Sequence, residues 1–446
     1  MSRSLKPYAA ALAALAFVFA AAAPATSAPD ISPGDPDTSF GVNGRTTTDF
    51  GATPSEPEIG NDLVRGPNGE LYVIGRRGVN VVLAGGESSF GLAKYTPDGH
   101  LDTSFGKGGL VTTDFGDGVG VGRALLLLPD GKLIAGGFTQ REQIADVALA
   151  KYNPDGSLDT SFGDGGKVRT DLSGGLGDGI RGLALTKDGK ILAAGASGPD
   201  SFVARYLPDG HLDPTFGNGG VAKTDFGLGD HLFALDELPD GKIIGAGTSN
   251  GDFLLARFNP DGTLDTSFGQ GGSVHTDMSG QNDLAFGFAH TADGYLITGA
   301  ANAPDPFGAT GPIRTAVARY HTDGTLDTSF GGDGKVTTDV DPVTADEGRE
   351  VAVDSQGRVV VAGLTGEVSA FPLDPTAGDM LVTRYRPDGT LDTSFGGGDG
   401  ISTVDFNGGA DAARGLVLTG NDDIIVGGGA VQNAPYSDFA LAKLHG

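Results

Sequence analysis

Residues 264–269 read LDTSFG, and this string or a close relative of it recurs through the whole chain of 446 residues. The phenylalanine of each copy is found at Phe40, Phe105, Phe162, Phe216, Phe268, Phe330 and Phe395. Successive copies are 65, 57, 54, 52, 62 and 65 residues apart, which is the kind of period that repeat architectures have. The sequence therefore predicts seven repeats, at approximately 40–104, 105–161, 162–215, 216–267, 268–329, 330–394 and 395–446.

Each repeat contains the same succession of short β-prone runs. Residues 167–172 (KVRTDL) follow a glycine pair, residues 132–137 (KLIAGG) follow an Asp-Gly turn, and residues 147–152 (VALAKY) precede a Pro-Asp-Gly. Runs of this length bounded by Gly, Pro and Asp are typical of strands, and Asp-Gly between apolar runs is a strong hairpin signal. No segment after residue 28 has a sustained helical apolar period. Four strands in each of seven repeats predict an all-β fold, a seven-bladed β-propeller with four antiparallel strands per blade.

The repeats also predict how neighbouring blades are joined and how the two ends of the chain meet. The distance from the Pro-Asp-Gly glycine to the next recurrent phenylalanine is six residues, as from Gly262 to Phe268. Such a fixed length predicts that the Asp and Ser or Thr of LDTSF satisfy backbone groups, and that the phenylalanine packs between neighbouring blades. If the blade frame is shifted by one strand, residues 45–50 complete the last blade beside residues 439–444, and each terminus protects the other's edge.

The repeats resemble the delta-60 repeat, a bacterial β-propeller repeat family with the same LDTSFG-x-GG-x-V-x-TDF core. The resemblance extends over residues 35–446 and recurs seven times. It implies a propeller on an exported or surface protein. Because the family brings no agreed catalytic residues, the resemblance assigns none to this chain.

The first 28 residues have the features of a cleaved secretory signal peptide. Arg3 and Lys6 precede an Ala-rich apolar run at residues 9–23, and small residues at 25–28 offer a cleavage site. The apolar run is too short and too rich in Ala for a membrane anchor. The sequence therefore predicts a secreted monomer with a single propeller domain at 29–446 and no membrane span in the mature protein.

The net charge of the chain restricts the classes of partner that it can bind. The chain has 57 acidic and 30 basic residues and a net charge of −27, which disfavours nucleic-acid backbones and anionic membranes. It has no cysteine, so it folds without disulfides. The predicted partner is an extracellular protein, or a cationic or other small-molecule ligand.

Two positions before the first hairpin of each repeat share their chemistry. The first, here called the acid register, comprises Glu58, Gly120, Asp178, Asp230, Asp283, Asp346 and Asp411. The second, three residues later and here called the arginine register, comprises Asn61, Arg123, Arg181, Phe233, Phe286, Arg349 and Arg414. Sevenfold geometry would place these positions as two rings, and their charged members are the candidate ligand-binding residues.

The acid register has two interpretations. Each carboxylate caps a strand or pairs with an arginine of its own or the next blade; alternatively, the acids form a negatively charged funnel for a cation or cationic ligand. Asp230 and Asp283 are the candidate metal ligands, because their repeats have phenylalanine in the arginine register. Calcium is the possible ion, and no other cofactor is expected. His231, beside Asp230, is the one candidate acid or base.

The connections between third and fourth strands vary greatly in length. They are long at residues 77–89, 301–314, 365–379 and 430–438, and variable loops on a rigid scaffold are where binding tends to occur. Strand parity places the acid register on the same face as these loops. The sequence therefore favours a non-enzymatic, exported binding scaffold that uses this face and the acid register. The alternative is a propeller enzyme, a metal-assisted hydrolase or lyase, that uses the same acids.

Overall fold

Strands make up the regular secondary structure of this protein. The computed structural model describes residues 32–51, 57–78, 87–116, 118–141, 144–302, 312–342, 344–368, 375–433 and 436–446, and none of these residues lies in a helix. Over these ranges, then, there is also no helix long and apolar enough to cross a membrane. The strands are β1 (Arg45–Thr48), β2 (Glu58–Arg65), β3 (Leu71–Gly78), β4 (Ser88–Tyr95), β5 (Leu110–Thr113), β6 (Val119–Leu127), β7 (Leu133–Arg141), β8 (Ile144–Tyr152), β9 (Lys167–Thr170), β10 (Asp178–Leu185), β11 (Ile191–Ser197), β12 (Asp200–Tyr206), β13 (Val221–Thr224), β14 (His231–Glu237), β15 (Ile243–Ser249), β16 (Asp252–Phe258), β17 (Ser273–Thr276), β18 (Leu284–Thr291), β19 (Gly294–Ala301), β20 (Arg314–His321), β21 (Lys335–Thr338), β22 (Ala345–Val353), β23 (Val359–Val368), β24 (Pro375–Tyr385), β25 (Ile401–Val404), β26 (Asp411–Leu418), β27 (Ile424–Asn433) and β28 (Tyr436–Leu444).

Hydrogen bonds join these strands into six sheets. Four sheets contain consecutive strands, β10–β13, β14–β17, β18–β21 and β22–β25, and a fifth has the order β1-β28-β27-β26. The sixth contains eight strands, because one parallel bridge between Ser88 and Val119 joins β2–β5 to β6–β9. The predicted all-β fold and its four-stranded antiparallel sheets are confirmed.

The two ends of the described chain meet in one sheet. Strand β1 pairs antiparallel with β28, with Arg45 opposite Ala442 and Thr48 opposite Phe439. The backbone amide of Gly396 also donates a hydrogen bond to the Pro33 carbonyl at 3.0 Å. The pairing agrees with the shifted frame, in which an N-terminal strand covers the edge of the last sheet.

The recurrent phenylalanines are core residues, each at most 1% exposed. Phe268, between β16 and β17, lies under a turn that follows β20 in the next sheet, since a Cβ added to Gly324 would be 2.7 Å from its ring. On the same ring, the guanidinium of Arg257 lies 4.5 Å from the centroid. These contacts confirm that the recurrent phenylalanine packs between repeats.

The aspartate of LDTSF ties this joint together. Asp265 Oδ1 accepts hydrogen bonds from the backbone amide of Ser267 at 3.2 Å and from its hydroxyl at 2.6 Å. Its Oδ2 accepts from Lys242 Nζ and from Arg257 Nε, both at 2.7 Å. The predicted satisfaction of backbone groups is therefore confirmed, and two cations from neighbouring strands complete the carboxylate's partners.

The first strand of each hairpin succession, here called an inner strand, contacts the inner strands before and after it. The contacts run from β2 through β6, β10, β14, β18 and β22 to β26, and β26 contacts β2. Glycines permit the close approach: a Cβ on Gly182 would lie 2.7 Å from the Phe233 carbonyl oxygen, and one on Gly415 would lie 2.6 Å from Leu63 Cβ. The inner strands therefore surround a common space.

Candidate functional site

Every inner strand has a β-bulge at the same position. In β10, for example, the pairing with β11 shifts between Ile180 and Gly182, so that Arg181 is skipped. The residues skipped in this way are Asn61, Arg123, Arg181, Phe233, Phe286, Arg349 and Arg414, the whole arginine register. A bulge redirects the side chain of the extra residue and locally bends the strand. The bulges are therefore the local reason why this register is set apart from the rest of the strand.

All seven members of the arginine register line one cavity of about 260 Å³, here called the central cavity. The residues that follow the bulge also reach it, and two of these, Asp62 and Glu350, carry carboxyl groups. The register that the sequence predicts as a ring is thus brought together in the structure.

The cavity arginines differ in their partners. Arg349 Nη2 lies 2.6 Å from the buried Glu347 Oε2, and its guanidinium is 4.1 Å from the Phe286 ring centroid. Arg181 stacks 5.5 Å from the Phe233 centroid but has no hydrogen bond or ion pair with any residue that the structure describes. Burial, followed by the charge of Arg349, lowers the pKa of Arg181. Arg181 is therefore a cation in an unfavourable environment.

One side of the cavity is apolar. Phe233 and Phe286 meet edge to face with their centroids 5.6 Å apart, and Phe288, Leu183 and Leu235 line the cavity beside them. Around the ring of inner strands these phenylalanines lie between Arg181 and Arg349. The cavity thus combines an aromatic wall with guanidinium groups at both ends of that wall.

The two cavity carboxyl groups bind backbone amides. Asp62 accepts from Leu63 through Oδ1 and from Leu125 on the adjacent inner strand through Oδ2, both at 2.7 Å. Glu350 Oε1 accepts from the Val351 amide at 3.2 Å. Burial raises the pKa of Asp62 to about 6, and burial together with the charge of Asp62 raises the pKa of Glu350 to about 8. Both carboxyl groups therefore keep their protons to a higher pH than exposed carboxyl groups do.

The sequence did not single out Asp62 and Glu350. The position after the arginine register holds small residues in the other repeats: Ala124, Gly182, Ala234, Gly287 and Gly415. The presence of two carboxyl groups in an otherwise small-residue register is the signal that identifies them.

The acid register lies elsewhere and has a uniform local role. Its six acids are each at most 2% exposed, and none is among the described residues that line the central cavity. An outer strand is here the short strand at the edge of a sheet opposite its inner strand (β1, β5, β9, β13, β17, β21 or β25). Each acid accepts a hydrogen bond from the amide of the residue that follows the Thr-Asp or Val-Asp at the end of an outer strand. These donors are Phe50, Leu172, Phe226, Met278, Val340 and Phe406, for Glu58, Asp178, Asp230, Asp283, Asp346 and Asp411 in that order.

These contacts favour the capping interpretation of the acid register. Hydroxyl donors add to the amides: Ser197 donates to Asp178 and Thr365 donates to Asp346, both at 2.6 Å. Burial raises the pKa of Glu58 to about 7 and that of Asp411 to about 6. Each acid therefore fastens the connection from an outer strand to the next inner strand, and its oxygens are largely occupied by the chain itself.

Three groups of aspartates have carboxylate oxygens within 4.8 Å of one another: Asp146, Asp171 and Asp178; Asp252, Asp277 and Asp283; and Asp379, Asp405 and Asp411. Asp283 belongs to one of them, whereas Asp230 belongs to none formed by the described residues. In the first group Arg169 Nη2 already lies 2.5 Å from Asp146 Oδ2. Calcium binding at Asp230 and Asp283 stays a prediction.

His231, the candidate acid or base, and the long connections are the remaining candidates. Burial, followed by the charge of Arg181, lowers the pKa of His231 to about 4, so its imidazole is neutral. Its Nδ1 has no hydrogen-bond partner among the described residues, and neither has Asp230 Oδ1. Part of each of the four long connections lies outside the described residues, at 79–86, 303–311, 369–374 and 434–435. The described parts of the connections at 365–379 and 430–438 are strand instead of loop, because β23 pairs with β24 and β27 with β28 up to these gaps.

Antiparallel four-stranded sheets whose inner strands surround one cavity define a β-propeller-like architecture. A family model described as "Domain of unknown function (DUF5122) beta-propeller" matches residues 66–105, 128–162, 186–216, 238–268, 307–330 and 355–395. The matched segments therefore support a β-propeller repeat family for this chain. No curated protein matches the sequence.

The solved structures that match this chain are of several kinds. A streptogramin B lyase has 10% identity and a TM-score of 0.45, over 90% of this chain and 98% of that chain. A fungal alcohol oxidase of the AA5 family, in complex with copper, has 12% identity and a TM-score of 0.44, over 90% and 76%. Sqt1 from Chaetomium thermophilum, bound to the N-terminus of the ribosomal protein L10, has 12% identity and a TM-score of 0.44, over 87% and 97%.

Proposed function

We propose that this protein is an exported, non-enzymatic β-propeller that binds a small anionic ligand in its central cavity. We infer seven blades of the delta-60 type, because the eight-stranded sheet consists of two four-stranded halves joined by a single bridge. Export rests on the signal-peptide pattern of residues 1–28. Protein binding through the long loops is a further prediction from the sequence.

The observation that carries the proposal is the position of Arg181. Its guanidinium faces the central cavity and has no anionic partner among the described residues. A partly buried cation without a partner is unfavourable, and an incoming anion would supply the missing charge. Hydrogen bonds to charged groups contribute about 1.5–3 kcal/mol each, so a carboxylate or phosphate that accepts such bonds from Arg181 is favoured over a neutral group at this position.

The sign of the cavity charge supports an anion rather than a cation. Four guanidinium groups and two carboxyl groups line it, and burial raises the pKa of Glu350 to about 8, which disfavours the charged form of this carboxyl group. The cationic ligand expected from the acid register has less support, because those carboxylates bind backbone amides. The protein's strong overall negative charge, −27, makes the cationic cavity a local exception.

Replacing Arg181 by glutamine is expected to weaken binding of a small anion by at least about 10-fold, as loss of one charge-assisted hydrogen bond implies. Isothermal titration calorimetry with acetate and with inorganic phosphate measures this directly. Arg386→Gln is the matched control, because Arg386 is an exposed arginine outside the cavity. Failure of both anions to bind the folded wild-type protein would contradict the proposed function.

One observation favours a second candidate, an enzyme. Asp62 and Glu350 line the same cavity with pKa values raised to about 6 and about 8, and such a pair suits general acid–base chemistry. Hydrolysis of nitrophenyl esters or glycosides by the wild-type protein, lost in Glu350→Gln, would support this candidate. Absence of turnover by a protein that binds acetate would favour the non-enzymatic function.

A further inference from the structure

We infer that the ligand of the central cavity is a small aromatic carboxylate, an anion with one flat apolar group. This inference rests on the proposed function and goes beyond it by naming the chemical class. It is based on the aromatic wall, on the two arginines that border this wall, and on the size of the cavity.

The aromatic wall offers a surface for a planar ring. Phe233 and Phe286 are both half-buried bulge residues that line the cavity, and their edge-to-face contact at 5.6 Å fixes their relative orientation. Phe288 extends the same wall. Aromatic rings prefer offset-stacked or edge-to-face neighbours, so a ligand ring placed here gains contacts that a solvated inorganic anion cannot make.

The two bordering arginines fix where the negative charge belongs. Arg181 stacks on Phe233 at 5.5 Å and Arg349 stacks on Phe286 at 4.1 Å. Both guanidinium groups are therefore held against the aromatic wall instead of extending away from it. A carboxylate attached directly to a ring on this wall would lie close to Arg181, whose charge is not balanced by any described residue.

The volume restricts the ligand to about one ring. A cavity of about 150 Å³ is large enough for benzene, and the central cavity measures about 260 Å³. The remaining space suits a carboxylate and one or two water molecules, whose share of liquid volume is about 30 Å³ each. A nucleotide or an oligosaccharide would be too large for full enclosure.

The test compares benzoate, acetate and the neutral benzamide as probes in calorimetric titrations of the wild-type protein. Burying a phenyl ring is expected to make benzoate bind about 10- to 100-fold more tightly than acetate. Benzamide, which lacks the charge, is expected to bind at least about 10-fold more weakly than benzoate. This comparison requires no variant and is independent of folding defects.

Variants then locate the ring. Phe233→Leu/Phe286→Leu is expected to weaken benzoate binding by about 10-fold and to leave acetate binding unchanged. Phe50→Leu is the matched control, because Phe50 is a half-buried phenylalanine that packs on Phe439 and does not line the cavity. Circular dichroism establishes that each variant is folded.

The outcomes separate this inference from the proposed function. Equal affinities for acetate and benzoate, both weakened by Arg181→Gln, would overturn the aromatic carboxylate and leave the anion site in place. Failure of every anion to bind would overturn both. Tight benzoate binding that the phenylalanine variants do not weaken would also overturn the inference, because the ring would then lie outside the aromatic wall.

Discussion

Replacing Phe268 by alanine is expected to lower the free energy of unfolding by about 3–5 kcal/mol. The side chain is completely buried, and it supports both the turn at Gly324 and the guanidinium of Arg257. Truncation leaves a cavity between two repeats and removes the ring on which the arginine stacks. The shift of the urea midpoint, followed by far-ultraviolet circular dichroism, measures the loss if the slope of the transition is unchanged.

Equivalent positions provide the controls for this prediction. Phe216→Ala is expected to have a similar effect, because Phe216 is also fully buried and Arg205 stacks on it at 4.6 Å. Leu228→Ala is expected to have almost none, because Leu228 is 83% exposed. A Phe268→Ala protein that unfolds at the wild-type urea concentration would show that these phenylalanines do not hold neighbouring repeats together.

The strands could be predicted from sequence because their signals are local. Residues 167–172 were predicted as one strand, and β9 comprises Lys167–Thr170. The strand is shorter because Asp171 Oδ1 accepts the amides of Ser173 and Gly174, at 3.1 and 2.7 Å, and so forms a turn. The error is confined to an end, where a short polar side chain competes with the sheet for backbone groups.

The strands form six sheets, one of them with eight strands, and the repeat pattern does not reveal this merging. Gly120 is the one member of the acid register without a carboxyl group. There, the Ser88 hydroxyl donates to the Gly120 carbonyl at 3.0 Å, and its amide donates to the Gly118 carbonyl at 2.9 Å. The parallel bridge between Ser88 and Val119 at this junction merges two groups of four strands into one sheet. A parallel bridge also joins Gly378 to Ala410, next to the acid Asp411, so the absence of the carboxyl group is not what allows neighbouring repeats to bond directly.

The candidate site was only partly predictable. Comparison of the repeats identifies the arginine register, but the bulge that sets Arg181 apart depends on how β10 pairs with β11. The same comparison overlooks Asp62 and Glu350, because it searches for shared chemistry and each of these residues is an exception in its register. The acid register shows the converse case: its residues are alike because each binds a loop amide, which no spacing rule distinguishes from a ligand site.

The protein is expected to be most stable near pH 5 and to lose stability as the pH changes in either direction. Burial raises the pKa of Glu58, Asp62, Glu350 and Asp411 to about 7, 6, 8 and 6. A carboxyl group whose pKa is higher in the folded than in the unfolded state favours folding while it is protonated. Its contribution is complete below the unfolded pKa of about 4 and is lost as the pH rises through the folded value.

Other carboxylates account for the expected loss of stability at acidic pH. Hydrogen bonding to Lys94 lowers the pKa of Asp102 to about 2, and Lys242 holds the pKa of Asp265 far below its usual range. Groups with a lowered pKa stabilise the fold above their unfolded pKa of about 4 and lose that contribution as the pH falls through the folded value. Urea midpoints measured from pH 3 to pH 9 test the expected loss of stability on both sides of pH 5. A midpoint that rises continuously to pH 9 would contradict the loss predicted for alkaline pH.

Glu350→Gln isolates the largest single contribution to the loss of stability at alkaline pH. The amide oxygen can still accept the Val351 amide, but the side chain can no longer ionise beside Asp62. A shift of one pKa unit corresponds to about 1.4 kcal/mol, and burial raises the pKa of Glu350 from its usual value of 4.5 to about 8. The variant is therefore expected to be about 2–4 kcal/mol more stable than wild type at pH 9. At pH 5, where the wild-type residue is protonated, the two proteins are expected to unfold at similar urea concentrations.

Glu87→Gln, on the exposed surface, is the control and should change the stability at neither pH. A Glu350→Gln protein with the same alkaline slope as wild type would mean that Glu350 ionises without cost in the folded state, and that the cavity is far better hydrated than its contacts indicate.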